Sequence, residues 1–120
     1  MPHDAALAAL IEELFGPLGA VAVRGMFGGA GVFCDGVMFA LIAGDTIYLK
    51  ADARSAKRFD AEGLEAFVYQ GKRKPVAMSY RRMPERLLDE PDEALAWGRE
   101  ALSAAQAAAS ARTKKPRGKG

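Results

Sequence analysis

Apolar residues recur at helical spacing near the start of the chain, at Leu7, Leu10, Ile11, Leu14, Phe15 and Leu18, with Glu12 and Glu13 off that stripe. One apolar face on a 3.6-residue period predicts an amphipathic helix from about Asp4 to Leu18, turned toward a core. Asp4 is its candidate N-cap, and Gly16-Pro17 with Gly19 mark its end. The pattern then changes to short β-prone runs separated by turn dipeptides. Strands are expected at Ala20–Arg24, Gly31–Cys34, Val37–Ile42 and Thr46–Lys50, with Asp35-Gly36 a type I′ hairpin signal and Gly44-Asp45 a second turn. This spacing is that of an antiparallel meander. A charged, moderately helical stretch follows over Asp52–Glu62, closed by Gly63, and two further strands are expected at Phe67–Gln70 and Val76–Arg82 around the loop Gly71–Pro75.

Beyond Pro84 a helical turn over Glu85–Leu88 leads to a last helix. Asp89 is its candidate cap, Pro91 suits the first turn, and Asp92 and Glu93 complement the positive end of the helix dipole. Alanine-rich sequence carries that helix to about Ala111, with Leu95, Trp97 and Leu102 as its packing anchors. The expected domain therefore spans residues 1–111. Residues 112–120 hold no large apolar side chain to bury and are expected to form a disordered basic tail.

Composition narrows the classes of function. A chain of 120 residues, half of them apolar or aromatic, has room for one core and needs no disulfide staple. With Cys34 the single cysteine and His3 the single histidine, a disulfide framework and a structural zinc site are both excluded, and no cofactor is expected. The N-terminal residues lack the basic and apolar regions of a signal peptide, and no apolar run approaches a membrane span. The expectation is a cytoplasmic protein with no membrane partner.

The formal net charge of +2 divides unevenly. Arg112, Lys114, Lys115, Arg117 and Lys119 lie in the tail; the remaining twelve basic residues face fifteen acidic ones, so residues 1–111 carry −3. An acidic domain with a basic tail is not the footprint of a dedicated nucleic-acid reader. Any nucleic-acid binding is expected to be weak and non-specific, carried by the tail, with a salt slope of about −4 for five phosphate contacts.

Candidate chemistry is sparse. A nucleophilic serine or cysteine needs a base within hydrogen-bond reach, and His3 sits at a terminus, so Cys34 reads as a small apolar filler. The glycine corner Gly25-Met26-Phe27-Gly28-Gly29-Ala30-Gly31 has two readings. Gly28, Gly29 and Gly31 either offer bare backbone amides to an anion or permit a tight corner between strands. The spacing is neither G-x-G-x-x-G nor a Walker loop, and a strand rather than a helix follows. A small-ligand enzyme there would need a pocket formed by Ser79, Tyr80, Asp35 and the Gly28-Gly29 amides. The tentative binding residues are the basic cluster Lys72, Arg73 and Lys74 with Arg81 and Arg82, interleaved with Tyr69 and Tyr80. Such interleaving either contacts single-stranded nucleic acid or forms a solvated hairpin tip.

The same residues form an ordered series. Met26–Gly31, Asp35–Ala40, Tyr48-Leu49-Lys50 with Asp52, Phe67-Val68-Tyr69, Lys74–Tyr80, Pro84 and the tryptophan-bearing last helix resemble the N-terminal domain of the TfoX/Sxy competence regulators over roughly residues 4–105. The resemblance implies an α+β fold: an antiparallel sheet with N-terminal and C-terminal helices packed on it, similar to the secretion-chaperone-like class. It further implies transcriptional control of DNA uptake, with the cyclic-AMP receptor protein as a partner, and carries over no catalytic residues. The two-domain regulators continue into a second domain, whereas this sequence runs instead into a short basic tail, so a stand-alone N-terminal domain is expected. The function expected is a non-enzymatic protein-interaction module, and a homodimer is expected from the open edge of the sheet and from the small alanines of the last helix.

Overall fold

Six strands form one antiparallel sheet in a computed structural model of the chain, which describes residues 5–26, 29–70 and 74–114. Helix α1 (Ala5–Phe15) and a 3-10 turn (Gly16–Leu18) precede strands β1 (Val21–Met26), β2 (Gly29–Cys34), β3 (Val37–Ala43) and β4 (Thr46–Lys50). Helix α2 (Ala56–Ala61) then leads to β5 (Ala66–Gln70) and β6 (Pro75–Arg82), and a 3-10 helix (Glu85–Asp89) leads to α3 (Pro91–Lys114). Spatial order is β1-β2-β3-β4-β6-β5, so the first four strands are the expected meander and β6 returns between β4 and β5. The α+β arrangement expected from the sequence is the one observed.

The turns follow from their residues. Asp35 (φ 53°) and Gly36 (φ 86°) both adopt positive φ, as a type I′ turn requires. Gly63 ends α2 with positive φ while its N–H reaches the Asp60 carbonyl and the Leu64 N–H reaches the Phe59 carbonyl. That is a Schellman closure, and it turns Leu64 back onto the core. Regular helix in α2 starts at Ala56 rather than Asp52; ahead of it the Asp52 carboxylate accepts from the Ser55 N–H at 2.8 Å and Ser55 Oγ accepts from the Asp52 N–H at 3.0 Å. Asp89 is not the cap of α3. It falls inside the preceding 3-10 helix, and the Glu90 carbonyl accepts the first α3 bond, from the Ala94 N–H. Helix α3 runs on to Lys114, three residues past its expected end. Asp4, expected to cap α1, lies outside the described residues.

The core lies between the helices and one face of the sheet. Ile11 and Phe15 of α1, Val32, Phe39, Ala40, Ile42 and Leu49 of the strands, and Ala94, Trp97 and Ala101 of α3 form one buried cluster. A bulge decides part of it. Val32 pairs with Ala40 but Phe33 pairs with Met38, which leaves Phe39 as an extra residue and turns both Phe39 and Ala40 inward. Phe39 then meets Phe15 edge to face at 5.6 Å. Past the bulge, Met38 belongs to the opposite face. Part of the alanine-rich surface of α3 packs within the chain: Ala94, Ala101, Ala104 and Ala105 are buried, and at Gly98 an added Cβ would lie 2.7 Å from the Phe15 ring, while Ala96, Ala107 and Ala111 remain exposed.

Candidate functional site

The glycine corner is a place of close backbone approach. Gly29 opens β2, and a Cβ there would stand 2.2 Å from the Ile42 carbonyl oxygen, so only glycine fits. Gly31 is buried in β2 opposite Leu41. Gly28 lies outside the described residues. Gly29 lines one hollow, while Ser79 and Tyr80 line a different one with Gly36, Val37 and Lys50. Asp35 lines neither; its carboxylate accepts from the Ala20 N–H at 3.4 Å. Among the described residues, Gly29, Asp35 and the Ser79-Tyr80 pair are therefore not brought together in one hollow.

The basic residues are also separated, because successive side chains of β6 point to opposite faces. Arg81 shares the helix-side face with Leu49, its register partner. Its guanidinium donates to the Leu64 carbonyl at 2.7 and 2.9 Å and to the Asp60 carboxylate, and stands over the Phe59 ring. Arg81 is a structural tie between β6 and α2. Arg82 faces the other way, beside Tyr48, and its charge meets Glu65 at 3.2 Å and Glu85 at 3.6 Å. Lys74 is exposed, and Lys72 and Arg73 lie outside the described residues.

What the structure does assemble is apolar. On the sheet face that none of the described helices covers, Met38, Leu41, Ala43, Phe67, Tyr69 and Met78 line an open hollow of about 300 Å³. Its floor is Leu41, buried yet outside the main core cluster. Its rim is Met78 and Tyr69, 37% and 44% exposed. None of the residues that line it is charged. Phe67 is held in place by an edge-to-face contact with Tyr48 at 5.0 Å. Cations lie on the same face: Arg24 over the Phe33 ring, and Lys50 over the Tyr80 ring with a 2.5 Å hydrogen bond to Ser79 Oγ. The Tyr80 hydroxyl donates to the Met38 carbonyl at 3.3 Å, which fixes the floor between β3 and β6. Reading the sequence for charge missed this hollow. Its available signal was Phe67 and Tyr69 at alternate positions of β5 with Met78 on β6, an apolar face with no remaining helix to cover it.

The titratable groups do structural work. Cys34 is fully buried, and burial with the neighbouring Asp35 carboxylate pushes its thiol pKa up, away from the reactive thiolate. Arg86 donates to both Glu62 oxygens, at 2.7 and 3.0 Å, and to Glu93 at 2.7 Å, holding both carboxyls below their usual range. Trp97 lies under Arg86 at 5.9 Å, and Arg58 stacks on the same ring at 4.0 Å and pairs with Glu100 at 2.8 Å. Among the described residues, no group of three or more histidine, cysteine or carboxylate side chains is placed to hold a metal ion, and no helix is long and apolar enough to cross a membrane.

None of the curated proteins matches the chain. The family model of the TfoX N-terminal domain matches residues 13–105, which takes in the sheet, α2, most of α3 and the whole lining of the open-face hollow. The chain belongs to the TfoX N-terminal domain family.

Proposed function

We propose that this domain is a non-enzymatic protein-interaction module linked to transcriptional regulation, and that it engages its partner through the open face of the sheet. The observation that carries this reading is the hollow lined by Met38, Leu41, Phe67, Tyr69 and Met78, an apolar surface that none of the described helices covers, whereas the other sheet face is closed by helices. A volume of about 300 Å³ suits one or two large apolar side chains of a partner. With Arg24 and Lys50 on the same face, the partner segment that fits is apolar at its centre and acidic at its margins. The family resemblance puts the cyclic-AMP receptor protein first among partners to test and competence for DNA uptake first among processes. Nucleic-acid binding is a secondary, salt-sensitive property of the basic tail in this reading.

Affinity capture from the source cell with the wild-type chain and with Met78→Lys tests it. Met78 is exposed, so the variant keeps the fold while placing a charge on the hollow's rim. A defined protein held at physiological salt by the wild type and lost from Met78→Lys is the expected result. Equal recovery by both chains, or no recovery by either, refutes the open face as the binding surface.

A further inference from the structure

The two edges of the sheet are finished differently. At β1 the edge is protected: α1 packs beside it, and the Glu12 carboxylate accepts from the Val23 N–H at 3.3 Å. Among the described residues, the strand paired with β5 in the sheet is β6. Its sequence, Ala66-Phe67-Val68-Tyr69-Gln70, contains no charge and no proline, and Val68 and Tyr69 are 46% and 44% exposed. Natural edge strands are commonly blunted by lysine, proline or a covering element, and an apolar strand with none of these is a template for another strand.

We propose that β5 pairs antiparallel with β5 of a second copy of this chain, about a twofold axis at Val68, to give one continuous twelve-stranded sheet. Three features select a second copy and this register. First, a twofold axis perpendicular to the sheet keeps each face on its own side. Because Val68 lies toward the helix side and Phe67 and Tyr69 toward the open side, only registers centred on a residue match like faces. Of these, the one centred on Val68 pairs all five residues of the strand. Second, this register sets Phe67 opposite Tyr69 of the second copy, twice, on the open face, and Val68 opposite Val68 on the other. Aromatic and β-branched pairs are the favourable cross-strand combinations. Third, the charges flanking the strand are complementary under antiparallel pairing. Glu65 precedes β5 and, although paired with Arg82, stays 57% exposed, and the exposed Lys74 follows the strand, so the carboxylate end of one strand approaches the ammonium end of the other. A parallel pairing would set like against like. The dimer also brings the two hollows side by side on one face, since Phe67 and Tyr69 line both the hollow and the edge.

Sedimentation equilibrium of the full chain across a concentration series reads the assembly, with a mass twice the monomer's 12.8 kDa expected. Val68→Lys apposes two ammonium groups at the axis and is expected to raise the dimer dissociation constant at least about tenfold, with an unchanged far-UV spectrum. Val68→Cys gives an independent reading. Directly opposed Cβ atoms lie about 4.5–5.5 Å apart, close to disulfide range, so mild oxidation should cross-link the dimer. The parent chain, whose Cys34 is buried, should not cross-link, nor should Ala22→Cys on β1. A chain that stays at 12.8 kDa throughout the series overturns the proposal and leaves the edge to a strand from a different protein. A dimer unaffected by Val68→Lys, or one in which Val68→Cys fails to cross-link, also overturns it.

Discussion

The two faces of the sheet are built from similar residues and treated differently. On the helix side, Val32, Phe39, Ala40, Ile42 and Leu49 are closed off by α1 and α3, with α2 tied to β6 through Arg81. On the open side, Leu41, Phe67, Tyr69 and Met78 are no more polar, yet nothing in the described chain covers them. An antiparallel sheet with one solvated face ordinarily alternates apolar with polar residues. Here the alternation fails where β3, β5 and β6 meet. Packing accounts for the first face, and the second is the surface proposed above for recognition of another macromolecule.

The largest effects should come from the closed face. Leu49→Ala is expected to lower the unfolding free energy by about 2–5 kcal/mol in denaturant titration, as for a fully buried leucine. Met78→Ala on the open face should cost less than about 1 kcal/mol. Similar losses at the two positions would erase the distinction between the faces. Gly29→Ala should fall between them, at about 1–3 kcal/mol, because the new methyl group must push back the Ile42 carbonyl where β2 and β3 meet.

A smaller effect concerns the corner that closes the helix side. Hydrogen bonds from Arg86 hold the Glu62 and Glu93 carboxyls below their unfolded values. Their folded-state pKa values are depressed, so the stability they contribute is present above the usual carboxylate range and is lost as pH falls through the folded values. Thermal unfolding measured below about pH 4.5 should show a shallower acid limb in Arg86→Met than in the parent. An identical acid limb would show that this corner is not held by its charges. Smallest of all is the stability change in Met78→Lys, whose effect should be on binding alone.

Much of the closed face was legible in the sequence. The helical stripe of α1 correctly gave Ile11, Leu14 and Phe15, while Leu10 on the same stripe is partly exposed against Thr46 and Leu88. Asp35-Gly36 announced its turn because a type I′ hairpin needs two positive φ angles. Phe39 was harder. A strict two-residue alternation sets it opposite Ala40, and the bulge that sends both inward leaves no mark in the apolar pattern. The candidate site was barely legible, for the same reason that Arg81 and Arg82 looked like a patch: adjacency along a strand means opposite faces. The hollow needs residues from β3, β5 and β6, and only the return of β6 between β4 and β5 brings them together.

The open face, rather than the helix side, is the surface proposed to carry the function. Transcript profiles of the source cell carrying Met78→Lys, a deletion of the gene, and Gln106→Lys on the exposed side of α3 test it most directly, with protein levels matched. The Met78→Lys profile should coincide with the deletion and the Gln106→Lys profile with the wild type. A Met78→Lys strain indistinguishable from wild type, beside a deletion that is not, would contradict the claim.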